Sequence, residues 1–159
     1  MSKQIFSRIR ISAIVVLVAS AIAVTSFFLP WTSLVLVLEG NAVEVLITNS
    51  GFEIARKGIS DKHSSLSWVY FITPLMAFFC FVFGLLGLIT SSRLHIAQII
   101  LAVFALLPFS LMVIEFNIVN QLPAWLDPFA TVPRYGAWLA ILGLISVIAG
   151  SLIDFRQRQ

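Results

Sequence analysis

Hydrophobic and polar positions divide the chain into four long uncharged stretches, 11–38, 63–92, 94–114 and 135–153, with every Asp, Glu, Lys and Arg lying between or beyond them. A hydrocarbon core of about 30 Å takes roughly 20 apolar helical residues, and each stretch holds a segment of that order. The pattern predicts transmembrane helices at about 11–29, 68–90, 94–115 and 135–153. The expected fold class is an all-α membrane protein. Its four-transmembrane-helix bundle forms one integral membrane domain over residues 1–159, with a small extracytoplasmic antiparallel β-sheet between helices 1 and 2, in the loop 30–67.

Within that loop the periodicity changes. Residues 32–38 are rich in Val and Leu, Gly40-Asn41 fits a two-residue hairpin turn, and residues 42–48 alternate Val43, Val45 and Ile47 with Ala42, Glu44, Leu46 and Thr48. This predicts a β-hairpin. Asn49-Ser50-Gly51 marks a second turn, and residues 52–56 read as a third strand. The apolar side of such a sheet has no cover inside the loop, so it is expected to rest on the helix ends, on the second outer loop 116–134, or on a partner.

Composition agrees with a membrane location, with 60% of residues hydrophobic and 11% charged, against about 25% charged in soluble domains. The net charge of +3 is scattered along the chain rather than gathered on one face, so no nucleic-acid partner is expected. Lys3, Arg8 and Arg10 before an apolar run resemble a secretory leader, but the run reaches Leu29, longer than a usual leader core, and is read as a retained first helix.

Orientation follows from the cations. Placing both termini and the turn at 91–93 in the cytoplasm puts Lys3, Arg8, Arg10, Arg93, Arg156 and Arg158 inside, against Arg56, Lys57, Lys62 and Arg134 outside. The expected location is the plasma (inner) membrane, multi-pass, with both termini cytoplasmic. Trp31, Trp68, Tyr70, Trp125, Tyr135 and Trp138 then fall near the outer interface, where amphipathic rings settle.

A Trp soon after the first helix, in Leu29-Pro30-Trp31, and Ser50-Gly51-Phe52-Glu53 further along the loop accompany this topology. In these respects the chain resembles the claudin and peripheral-myelin-protein superfamily. The resemblance implies four spans, an extracellular sheet and a self-assembling or adhesion role. The paired loop cysteines of that superfamily have no counterpart, because the single cysteine, Cys80, lies in the second span.

Chemical motifs are sparse. His63 and His95 fall at opposite membrane faces, so one chain cannot clamp a haem between them; His95 alone remains a candidate pigment or metal ligand. One cysteine excludes thiol relay chemistry through a cysteine pair, and no nucleophile, base and orienting acid fall together. No enzyme activity, metal or cofactor is expected. Glu115 sits at the outer end of the third span and is expected to be a boundary residue solvated with Asn117 and Asn120; a functional role would have it pair with Arg134 or with a cation of a partner.

Pro74 and Pro108 are expected to bend their helices. The small-residue pairs Ala19/Ala23, Gly136/Ala140 and Ser146/Gly150 favour close helix contacts. The expected function is a non-enzymatic accessory or assembly subunit, in contact with membrane lipids and with a larger membrane protein complex or a homo-oligomer. The candidate partner-binding residues are Trp31, Val43, Val45, Phe52, Glu115 and Arg134. The alternative is a small carrier or lipid-binding protein with a polar path near Glu115, Gln98 and Ser110.

Overall fold

A computed structural model describes residues 2–37, 43–60, 67–90, 94–120 and 129–157. In chain order the elements are helix α1 (Ser2–Ser26), strands β1 (Pro30–Val37) and β2 (Val43–Ser50), and helix α2 (Gly51–Ser60). A 3-10 turn at Ser67–Phe71 then leads into α3 (Ile72–Thr90), followed by α4 (His95–Asn120), β3 (Phe129–Pro133) and α5 (Tyr135–Gln157).

Three helical segments, Val69–Ile89, His95–Val113 and Tyr135–Arg156, are long and apolar enough to cross a membrane. The first helix differs from expectation: its apolar part is the shorter Ile11–Ser26, about 24 Å long at about 1.5 Å per residue. The shortfall has a local cause. After Ser26 the chain leaves the α-helix through bonds of the i to i−3 type, from the N–H groups of Phe27, Phe28 and Leu29 to the carbonyls of Val24, Thr25 and Ser26. Pro30 then opens β1.

Helices α1, α3, α4 and α5 pack side by side, α1 against α3 and α5, and α4 against α3 and α5. Their interior is built from small residues: Ala19, Ala23, Ala77, Ala102, Ala105, Ala137 and Ala140 are buried. Large apolar side chains such as Ile14, Phe78, Ile100, Phe104, Leu142 and Ile145 point outward and are about half exposed. This reverses the soluble arrangement and suits helices surrounded by lipid, where backbones attract by close packing rather than by burying large side chains.

The α1–α5 seam is tightest at Gly143 and Gly150, seven residues apart. A Cβ on Gly143 would lie 2.8 Å from the Ala19 carbonyl oxygen, and one on Gly150 would lie 3.0 Å from Val16 Cγ2. Of the small pairs expected from sequence, Ala19/Ala23 and Gly150 belong to this seam, whereas Ser146 is half-buried and returns its hydroxyl to the Leu142 carbonyl. Pro74 falls in the first turn of α3, where helix N–H groups have no intrahelical partner, and so removes no bond there. Pro108 does lie inside α4. Beside it, the Thr73 hydroxyl of α3 donates to the Ala105 carbonyl at 2.9 Å and joins the two helices.

The hairpin expected between the first two spans is present, with β1 and β2 antiparallel; its turn lies outside the described residues. Two expectations are corrected. Residues 52–56 are not a strand but part of α2, and the third strand is β3, from the segment preceding α5, giving the order β2-β1-β3. The sheet is therefore assembled from both loops rather than from the first alone. The expected second turn is instead the start of α2, a capping box. The Ser50 N–H donates to Glu53 Oε2 at 2.7 Å, and the Glu53 N–H donates to Ser50 Oγ at 3.2 Å.

Replacing Gly143 by Val should separate α1 from α5 and destabilise the fold by about 1–3 kcal/mol. Thermal unfolding in detergent checks this, with the exposed neighbour change Leu142→Ala expected to have far less effect.

Candidate partner interface

Trp31 joins the sheet to the helices. Between Pro30↔Ser50 and Thr32↔Asn49 the register shifts by one, which leaves Trp31 without an opposite residue, and its side chain is fully buried. The Trp31 indole N–H donates to the Ser26 carbonyl at 2.7 Å. Its ring lies 4.8 Å from Phe109 of α4, 5.6 Å from Phe27 and 6.2 Å from Tyr70, centroid to centroid. Two glycines make room for it. A Cβ at Gly51 would sit 2.7 Å from the Trp31 ring, and one at Gly136 would sit 2.9 Å from it and 2.5 Å from the Pro30 oxygen.

Backbone bonds join the same place. The Arg134 N–H donates to the Trp31 carbonyl at 2.7 Å, and the Phe52 N–H donates to the Phe27 carbonyl at 3.0 Å, which seats the first turn of α2 on the end of α1. Across the sheet, Ser33 Oγ accepts from Arg134 Nε at 2.7 Å and shares a second bond with Thr48 Oγ1 at 3.1 Å. One buried hydroxyl thus links β1, β2 and the residue that follows β3.

Beyond this anchor β2 stands open. It is an edge of the sheet, and Val45, Leu46 and Ile47 are 49%, 44% and 50% exposed. Successive strand residues point to opposite faces, so β2 offers apolar side chains on both faces, and among the described residues no strand pairs with its outer side. Such an edge is a template for another strand. Next to it, Phe52 stacks on the exposed Phe28 at 5.9 Å.

The residues expected to meet a partner are therefore dispersed. Val45 is on the open edge, and Val43 lies in the same strand opposite Val37. Phe52 is on the aromatic pair. Trp31 has no exposed surface, and with Tyr70 it is an interior ring rather than an interfacial anchor, whereas Tyr135 and Trp138 are each 55% exposed. Arg134 is partnered by Ser33. Glu115 belongs to α4, and its side chain lies outside the described residues. Gln98 and Ser110 are not brought together: they are about 18 Å apart along α4, and Ser110 returns its hydroxyl to the Leu107 carbonyl.

His95 lies at the opposite end of the helices, 5% exposed, its ring 5.2 Å from that of Phe155. Buried Ser12, Gln98 and Ser151 surround it together with Asp154, and Ser151 Oγ lies 3.1 Å from Gln98 Oε1. Among the described residues no group of three or more His, Cys, Asp or Glu side chains is placed to hold a metal ion. This polar cluster draws on α1, α4 and α5; of its members the sequence singles out His95 and Gln98. Comparison with known protein families, with curated proteins and with solved structures finds no match to this chain.

Outside the membrane-spanning segments, Glu53 is an ionisable group shaped by its surroundings. The Ser50 backbone N–H, then the Ser50 hydroxyl, hold its carboxyl below the ordinary carboxylate value. Its capping contribution is complete at neutral pH and is lost as pH falls through that lowered value. Removing the cap by Ser50→Ala should weaken α2 by about 1 kcal/mol. Amide protection in α2, corrected for intrinsic exchange, should fall on acidification in the native chain and stay flat in Glu53→Gln.

Trp31→Ala should cost about 3–5 kcal/mol by opening a cavity where the sheet meets α4. Trp31→Phe, which keeps a ring but leaves the Ser26 carbonyl without its donor, should cost less. Chemical unfolding in detergent measures both.

Proposed function

We propose that this chain is a four-span membrane protein of the plasma (inner) membrane, with both termini cytoplasmic, acting as a non-enzymatic accessory or assembly subunit of a larger membrane complex. The observation that carries the reading is the open, apolar β2 edge on a sheet held rigidly to the helices. Soluble and secreted proteins blunt such edges with charge, proline or a covering element; β2 carries one charge, Glu44, followed by Val-Leu-Ile at 45–47. A partner strand laid along β2 gains main-chain bonds from the edge and apolar contacts from both faces. Lipid surrounds the helices, and the sheet aligns the partner at the outer surface. The fourth span uses α1, whose basic N-terminal turns carry Lys3, Arg8 and Arg10 toward the cytoplasm.

A second reading, lipid binding, is favoured by a groove of about 220 Å³ lined by Phe109, Met112, Val113, Pro133, Ala137, Trp138 and Ile141. These residues are apolar throughout, and the volume suits part of an acyl chain.

A photoreactive amino acid placed at Val45 or Ile47 separates the two readings. In native membranes the accessory role predicts one discrete protein adduct from these positions and lipid adducts from the outward-facing Val103. Lipid adducts alone at Val45 and Ile47 would contradict it.

A further inference from the structure

His95 opens α4, and its side chain is buried against the last turns of α5, yet among the described residues its Nδ1 has no hydrogen-bond partner. The nearest acid is Asp154, with Oδ2 at 3.9 Å. That is beyond the range of a direct hydrogen bond, about 2.7–3.2 Å, and fits a pair of groups joined through a third. The space beside them is a small cavity lined by residues of all four long helices. Ser12, Gln98 and Ser151 contribute polar groups, and Gly84 and Gly87 leave room on the α3 side.

Its size decides what fits. The cavity has about 20 Å³ for the centre of a water-sized sphere, and one water requires about 10–15 Å³. A phosphate or a lipid headgroup is too large. A water also needs two to four polar partners, and here His95 Nδ1 and Asp154 Oδ2 lie 3.9 Å apart, with Ser12, Gln98 and Ser151 also in the lining.

We propose that this cavity is a binding site for a single water molecule, which donates a hydrogen bond to Asp154 Oδ2 and pairs with His95 Nδ1. When the imidazole proton is on Nε2, two acceptors face one another, and one water can donate one proton to each, giving Nδ1 a partner and Asp154 Oδ2 a further bond. When the proton is on Nδ1, the imidazole donates to the water, and the water passes a bond on to the carboxylate. In both tautomers the bridge ties the first turn of α4 to the last turns of α5. The site is independent of the partner interface, which lies at the other end of the helices.

The test uses the full chain in phosphatidylcholine vesicles, with histidine labelled by nitrogen-15 and His95 assigned by its absence in His95→Gln. Magic-angle-spinning NMR then reads magnetisation transfer from water to the imidazole. Transfer to His95 Nδ1 should be strong in the native chain, retained in Asp154→Asn, and reduced at least several-fold in Asp154→Leu, which cannot hold the bridge. Absence of transfer in the native chain would overturn the site. So would a His95 signal that shifts between sodium and choline at equal ionic strength, since that would mark a cation in place of water.

Discussion

The architecture depends on where Trp31 goes. It follows the first helix at the point where the chain changes from helical to extended, and the register shift in β1 turns its ring inward instead of leaving it in the sheet. There it closes the space between the end of α1, the start of α2, the 3-10 turn before α3, the middle of α4 and the start of α5. An indole is large and nearly rigid, so burying it gains apolar contact at little conformational cost, and its N–H must find an acceptor. The Ser26 carbonyl, released at the end of α1, supplies that acceptor. Gly51 and Gly136 follow from the same constraint, because both backbones approach the ring more closely than any side chain would allow.

Packing of the helices follows a complementary rule. Alanines and glycines occupy the interior and larger apolar residues the outside, so that α1 and α5 approach almost backbone to backbone at Gly143. In lipid, exposed Leu and Ile carry no penalty, and stability comes from contact between close surfaces and from the few polar groups that are paired. The Thr73–Ala105 bond and the Ser151–Gln98 bond are such pairs, each joining two helices.

Much of this was legible in the chain itself. Charge-free runs of twenty or so residues mark the helices, because no other spanning structure of that composition satisfies its backbone in lipid. Alternation of Val and Ile with smaller or polar residues marks the hairpin. The third strand was misplaced because five residues fit a period of 2 and a period of 3.6 almost equally well. The Ser50-x-x-Glu53 cap was the local signal that favoured a helix there. The true third strand, Phe129–Pro133, is short and ends in proline, and it exists through pairing with β1 about a hundred residues earlier. Arg134 and Ser33, 101 residues apart, meet for the same reason. Trp31 was read as an interfacial ring since its neighbours in sequence favour that role, and only the tertiary arrangement buries it. Ser12, Gln98, Ser151 and Asp154 gather around His95 from three helices, a grouping set by topology that no spacing in the chain encodes.

The proposed accessory role rests on a sheet anchored by a buried tryptophan, whose edge strand β2 exposes Val45, Leu46 and Ile47. Gentle solubilisation of the native membrane followed by mass measurement of the intact assembly addresses it directly. The account predicts a particle in which this chain stands in fixed stoichiometry with a different membrane protein. A stable particle containing only a single copy of this chain and lipid would contradict it.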